Sequence, residues 1–256
     1  MKVGIIGCGA IATTLVDFKL NGKLEANLDY FYDLSYESAE ELSSKIGAKT
    51  AKTLDELAEN VDVILESASQ SAVKNSIPHM IEKGKDVIIM SVGALLDKKF
   101  HDEILNLALK NNARIYLPTG AITGIDTVQA AKMGEITEIS LTTRKPPASL
   151  DVELENDEEK VIFEGKASEA VKKFPKNINV SSTLSLASGI DVDVTIIADP
   201  KIKNNTHEIN LKGTFGELTT ITSNVSSANN PKTSALAAYS VASLLDKLTK
   251  TMQIGS

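Results

Sequence analysis

At 256 residues the chain accommodates one large or two modest domains, and 42% hydrophobic with 24% charged residues is the make-up of a globular protein. A net charge of −7 with no clustered basic surface argues against a nucleic-acid partner, and no apolar run approaches the ~20 residues that cross a bilayer, so no membrane partner is expected. No basic, cleavable leader precedes the first apolar run, and the single cysteine, Cys8, cannot form an internal disulfide, so the expected location is cytoplasmic.

The chain opens on an apolar run at 3–6 that feeds into Gly7-Cys8-Gly9-Ala10-Ile11-Ala12 and then an amphipathic segment. Strand, tight turn and helix start in this order form the phosphate-cradling corner of a dinucleotide fold. Gly7 permits a turn that a side chain would block, Gly9 lets backbone approach a pyrophosphate, and Ala12 lets the helix lie close to the strand. Ala10 and Ile11 fall in the first turn, where N–H groups and the positive helix end face an anion. The next predicted strand, 28–32, ends at Asp33, about twenty residues beyond the turn, where a carboxylate accepts hydrogen bonds from a ribose. That charge also repels a 2′-phosphate and favours NAD over NADP, although a carboxylate that swings aside admits both. The plainer reading of Asp33 is a residue that begins a turn, and Cys8 reads as a small filler beside the cofactor.

Further on, the pattern predicts a helix at 36–46, a short strand at 48–51, a helix capped by Thr53, and a buried parallel strand at 61–66. A helix running to about 82, a strand at 86–90, a turn at 91–94, a helix at 98–110 and a strand at 114–117 follow. This alternation implies a doubly wound parallel sheet, whose ligands bind beyond the carboxyl ends of the strands. Residues 67–70, 91–94 and 118–121 should then line the cofactor crevice, with Ala68, Ser69, Val92 and Gly93 as candidates; small residues also simply make turns.

From about Gly124 the pattern changes to strands at 136–143, 192–198, 207–211 and 217–225 and helices at 168–174 and 232–249, with 154–160 read as solvated surface. The expected fold is α/β: an N-terminal Rossmann-type doubly wound parallel sheet over residues 1–122, and a second α+β domain over 123–235. Periodicity leaves open whether the last helix, 236–256, returns to complete the first domain.

Three histidines are present. His79 and His101 lie on polar helices and read as structural or exposed. His207 shares strand parity with Ile209 and Leu211, so it points to the packed side of its sheet, where an imidazole serves either as a hydrogen-bonded core residue or as a proton acceptor. Only Arg114 and Arg144 are arginines, so anion recognition falls mainly to lysines, amides, hydroxyls and backbone N–H groups. The cluster Lys232-Thr233-Ser234 at an expected helix start suits a substrate carboxylate or ordinary capping equally well. No Cys, His and Asp set has metal-ligand spacing, and no nucleophile elbow is visible, so no metal is expected.

The segments Ile6-Gly-Cys-Gly-Ala-Ile-Ala12, Met90-Ser-Val-Gly-Ala-Leu95, Tyr116-Leu-Pro-Thr-Gly-Ala-Ile122, Lys145-Pro-Pro147, Phe174-Pro-Lys-Asn-Ile-Asn-Val180, Ala198-Asp-Pro200, Asn205-Thr-His-Glu208 and Asn230-Pro-Lys-Thr-Ser-Ala-Leu236 run through nearly the whole chain. In them the chain resembles the L-aspartate dehydrogenase family. Thr123 stands where many relatives carry a small apolar residue. The resemblance implies that His207 is the catalytic residue, that Ala121 and either Asn177 or Asn179, with Asn177 preferred, meet the cofactor, and that Asn205 joins the substrate candidates.

It further implies a homodimer that converts L-aspartate and NAD, or NADP, to iminoaspartate, which then hydrolyses to oxaloacetate and ammonia or feeds quinolinate synthesis. In that reaction His207 takes the amine proton, and Lys232, Thr233 and Ser234 hold one carboxylate. Two rivals are another two-domain dehydrogenase of amino-acid metabolism, of the dihydrodipicolinate reductase or homoserine dehydrogenase kind, and a non-catalytic NAD sensor. The paired histidines beside a lysine of the former enzyme and the substrate lysine segment of the latter are not visible here.

Overall fold

A computed structural model describes residues 1–174, 179–227 and 230–254. The chain divides into two compact units, one formed by Met1–Pro118 with Ala238–Gln253 and the other by Thr119–Ala237.

In the first unit β1 (Lys2–Ile6), α1 (Ala10–Leu20), β2 (Asn27–Tyr32), α2 (Tyr36–Lys45), β3 (Lys49–Thr50), α3 (Leu54–Asn60), β4 (Val63–Glu66), α4 (Gln70–Glu82), β5 (Asp86–Ile89), a 3-10 helix (Val92–Leu96), α5 (Lys98–Asn111) and β6 (Ile115–Tyr116) follow in order. All strands pair in parallel in the order β3-β2-β1-β4-β5-β6, the doubly wound arrangement the alternation predicts. Val3, Ile5, Phe31, Ile64, Leu65, Val87 and Ile88 are buried among them, as expected for strands covered on both faces. Helix starts follow local chemistry: Ser35, Thr53, Ser69 and Asp97 each accept a backbone N–H from the first turn of α2, α3, α4 and α5. Connectivity reverses on either side of β1, so the carboxyl ends of β1 and β4 mark the switch point.

The second unit holds α6 (Ile125–Ala131), β7 (Ile136–Lys145), β8 (Lys160–Lys166), α7 (Ala167–Lys173), α8 (Asn179–Ser188), β9 (Asp193–Ala198), β10 (Asn205–Gly213), β11 (Gly216–Asn224) and the short pair β12 (Ser226–Ser227) and β13 (Asn230–Ser234). Its main sheet has the order β11-β10-β7-β9-β8, with β7 and β9 parallel and the other pairs antiparallel. Alternation places Ile139, Leu141, Thr143 and Lys145 of β7 and Asn205, His207, Ile209 and Leu211 of β10 on one buried face. The last helix, α9 (Ala235–Lys247), buries Ala238, Val241, Ala242 and Leu245. Within the first unit Tyr239 lies 5.2 Å from the Phe18 ring, and the Asp246 carboxylate accepts the N–H groups of Glu25 and Ala26.

Several elements depart from the sequence reading. Strand β8 occupies a stretch next to the segment read as solvated surface, and its mixed exposure is that of a sheet edge. Helix α8 gives little apolar signal because Ser181, Ser182, Thr183, Ser185 and Ser188 fill its buried side, with Thr183 and Ser188 donating back to the carbonyls of Asn179 and Leu184. Strand β10 begins at Asn205, two residues early, and β7 runs two residues past its expected end. The last helix starts at Ala235, three residues late, because residues 230–234 pair as β13 with β12.

Candidate active site

In the first unit the glycine corner is built as the motif requires. Gly7 adopts φ of +95°, and a Cβ there would stand 2.6 Å from the Cβ and 2.7 Å from the Cα of Ala68. Its N–H donates to the Tyr32 carbonyl, and its own carbonyl accepts the Ser67 hydroxyl at 3.0 Å. Gly9 is exposed, with nothing within 4 Å of where a Cβ would project. It starts α1 without a side-chain cap, and the first turn carries no acidic residue. Backbone N–H groups at an open, uncapped, positively polarised helix end suit a diphosphate, so these residues fit a dinucleotide.

Asp33 lies beside this corner. One carboxylate oxygen accepts the Cys8 N–H at 2.8 Å and the other the Ser35 N–H at 3.0 Å. These two contacts make Asp33 a residue that shapes the turn at the end of β2, next to the glycine corner. Burial, followed by the Asp33 charge, pushes the Cys8 thiol up to about 12, which favours the protonated thiol at neutral pH.

Glu66, the last residue of β4, is a site residue that sequence reasoning missed, and it is 0% exposed. One oxygen accepts the N–H groups of Ala68 and Ser69 and the Ser91 hydroxyl at 2.8, 2.9 and 2.9 Å, and the other accepts the Ser91 N–H at 3.0 Å. A single carboxylate thus ties together the loops after β4 and β5. Burial raises its pKa against the pull of those donors. Of the residues on these loops, Ala68 and Ser69 are exposed, whereas Val92 and Gly93 are buried in the 3-10 turn.

In the second unit His207 is 5% exposed, and its Nδ1 lies 2.9 Å from the hydroxyl of Thr143, its partner across the β7–β10 pair. On the other side β10 pairs His207 with Thr222 and Asn205 with Asn224. The Thr222 hydroxyl and the Asn224 amide both donate to the carbonyl of Ala121, at 3.1 and 2.9 Å. Ala121, Asn205 and His207 are therefore gathered at one end of this sheet. β12 continues from that end of β11 and pairs with β13, and the Ala235 N–H donates to the Val225 carbonyl. Burial and the neighbouring charge of Lys145 push His207 down to about 3, so its imidazole is neutral at ordinary pH.

The expectation that residues 232–234 sit at a helix N-terminus is corrected: they belong to β13, which precedes α9. Ser234 is buried and its hydroxyl accepts the Leu236 N–H at 3.2 Å, which is a capping contact, while Thr233 is half-buried. Asn177 and the side chain of Lys232 lie outside the described residues, and Asn179 opens α8. His79 and His101 pair with Asp55 and Asp102. Among the described residues no group of three His, Cys, Asp or Glu is placed to hold a metal, and no helix is long and apolar enough to cross a membrane.

A parallel sheet with a glycine corner at its switch point, together with a mixed sheet that carries a buried histidine, defines a two-unit dehydrogenase using a nicotinamide dinucleotide. Residues 7–118 match the family model described as the NAD binding domain of homoserine dehydrogenase, and residues 126–248 the one described as aspartate dehydrogenase, C-terminal. The chain is 48% identical to an L-aspartate dehydrogenase of Methanothermobacter thermautotrophicus over 100% of its own length and 99% of the relative's. It is 45% identical to an L-aspartate dehydrogenase of Methanococcus maripaludis, covering 100% of both chains. The crystal structure of aspartate dehydrogenase from Thermotoga maritima superposes with a TM-score of 0.83 at 31% identity, over 100% of this chain and 99% of that one. The chain belongs to the aspartate dehydrogenase family.

Proposed function

We propose that the protein oxidises L-aspartate to iminoaspartate with NAD as hydride acceptor. The observation that carries this reading is the buried His207, fixed by Thr143 at the end of the sheet that also holds Ala121 and Asn205, in a chain aligned end to end with L-aspartate dehydrogenases. In this reading the N–H groups at Gly9, Ala10 and Ile11 hold the diphosphate and Asp33 the adenosine ribose. Gly7, Ala68, Ser69, Val92 and Gly93 shape the crevice, and Ala121 and Asn177 meet the nicotinamide end. The nicotinamide, when bound, supplies a two-electron acceptor for the hydride from the substrate Cα.

The α-ammonium must lose a proton as the C=N bond forms, and His207, neutral at the working pH, accepts it directly or through water. Water then adds to the imine and releases ammonia and oxaloacetate, unless a condensing enzyme consumes the imine first. Asn205, Thr233 and Ser234, with Lys232, position the substrate. Absorbance at 340 nm with L-aspartate offered against other amino acids, and NAD against NADP, tests this reading. NADH formation that depends on aspartate supports it, and cofactor binding without such formation sinks it.

NAD is the cofactor in this reading because a carboxylate at Asp33, at the end of β2, would repel a 2′-phosphate. Replacing Asp33 by Asn keeps an acceptor for the Cys8 N–H and removes the charge. The variant is expected to narrow the NAD over NADP preference by about tenfold, read from the two kcat/KM values. The family resemblance supports a cytoplasmic homodimer, and sedimentation as a monomer would overturn that assembly.

A further inference from the structure

His207 and Thr143 stand directly opposite each other on the antiparallel pair of β10 and β7, inside the second unit. Both are buried, and the Thr143 hydroxyl lies 2.9 Å from Nδ1 of the ring. In a neutral imidazole one nitrogen carries the proton and the other the lone pair, and the hydrogen bond made by one decides the role of the other. Among the described residues Nδ1 has Thr143 as its partner, and Nε2, the outer nitrogen, has none. Among the same residues no wholly buried side-chain nitrogen or oxygen lacks a hydrogen-bond partner. Nε2 therefore reaches the small exposed part of the ring, and it is the nitrogen a substrate can meet. Thr143 also borders, with Ser181, a cavity of about 10 Å³, which is room for one water.

We propose that Thr143 is a positioning residue: its hydroxyl oxygen accepts the Nδ1–H and so holds His207 in the tautomer whose lone pair lies on Nε2. The assignment rests on the reading of His207 as the acceptor of the substrate's amine proton. A hydroxyl serves either as donor or as acceptor. Were it to donate to Nδ1, the ring proton would sit on Nε2, and the substrate would meet an N–H with no place for a further proton. With Nδ1–H given to Thr143, an N–H bond of the substrate ammonium breaks and its proton bonds to Nε2. The electron pair left on the amine forms the C=N bond as the hydride leaves Cα for the bound cofactor. The imidazolium keeps the same bond to Thr143, now charge-assisted and stronger, so the ring neither turns nor exchanges protons between its nitrogens during turnover. The hydroxyl's own proton turns towards the small cavity, where a water can accept it.

The test has a spectroscopic and a kinetic arm. With the histidines labelled with 15N, two-bond nitrogen–proton spectra of the wild-type protein at neutral pH should show His207 protonated at Nδ1 and bare at Nε2, its signals being those that vanish in His207→Asn. Thr143→Val keeps the shape and removes the hydroxyl, and Thr143→Ser keeps the hydroxyl. Thr143→Val should lose the pure Nδ1–H signature and lower kcat for aspartate by about tenfold to a hundredfold. The KM for aspartate and the dissociation constant of NAD should stay within twofold, and Thr143→Ser should recover both the signature and most of the rate. A wild-type spectrum with the proton on Nε2 overturns the assignment, as does a Val variant with kcat within twofold of wild type. A Ser variant as slow as the Val variant also overturns it, since the methyl and not the hydroxyl would then matter, and so does a loss that falls equally on NAD binding. Should Thr143→Val fail to fold, the wild-type and Ser spectra with the Ser rate decide the question. Absence of aspartate-dependent NADH formation by wild type would instead overturn the reading of the reaction, and the positioning role with it, whichever tautomer the spectrum shows.

Discussion

Replacing His207 by Asn is expected to lower kcat/KM for aspartate by about 10²- to 10⁴-fold while NAD binds as before. The smaller amide still reaches the Thr143 hydroxyl and fills part of the same buried space, so the sheet should survive and the loss should fall on proton transfer. Near-normal turnover with NAD bound would remove His207 from the reaction. The same variant carries a second expectation, on acid stability. His207 is held down to about 3 in the folded protein against an ordinary 6.5. Between those values the unfolded chain takes up a proton that the folded one refuses, so stability is lost as pH falls from 6.5 towards 3. Melting temperatures followed across that window should fall less steeply for the Asn variant than for wild type.

Replacing Glu66 by Leu is expected to be the most damaging single change in the first unit. It strands the buried N–H and hydroxyl of Ser91 and leaves the N–H groups of Ala68 and Ser69 without their acceptor, and each unmet buried donor costs about 1–3 kcal/mol. A total of several kcal/mol approaches the roughly 5–15 kcal/mol that holds a protein folded, so poor expression or loss of the cooperative melt should follow. Glu66→Gln is the graded version. Its carbonyl can keep the three contacts made by one oxygen, and its NH2 then opposes the Ser91 N–H. A drop of a few degrees in the melting temperature and weaker NAD binding are expected. A Gln variant indistinguishable from wild type in both would show that the two loops do not depend on this carboxylate.

The glycine corner and the alternation of the first half were legible because each strand and helix there carries its own period, and caps such as Ser35, Thr53 and Asp97 mark the helix starts. The inward direction of His207 was legible from parity with Ile209 and Leu211. Lys145 was not, because its burial depends on β7 continuing past residue 143; with the strand ended there, a lysine after an arginine reads as solvated. Glu66 closes an apolar strand in the way any polar terminal residue would, and only the return of two distant loops onto its oxygens reveals what it holds. Helix α8 hides its buried side in hydroxyls, which apolar periodicity cannot detect. The antiparallel pair β12 and β13 was missed because strands this short and polar carry no period of their own, and Thr233 and Ser234 just ahead of the apolar run of α9 read as a helix cap.

The first unit draws on both residues 1–118 and residues 238–253, with the other unit inserted between them. A nascent chain emerging from the ribosome therefore cannot finish its nucleotide-binding half before the inserted half has been made. Until α9 arrives, the Phe18 ring lacks Tyr239 and the amides of Glu25 and Ala26 lack the Asp246 carboxylate. Translation order thus makes the first-begun half the last to be completed, and a chain cut short at residue 237 has no complete version of it.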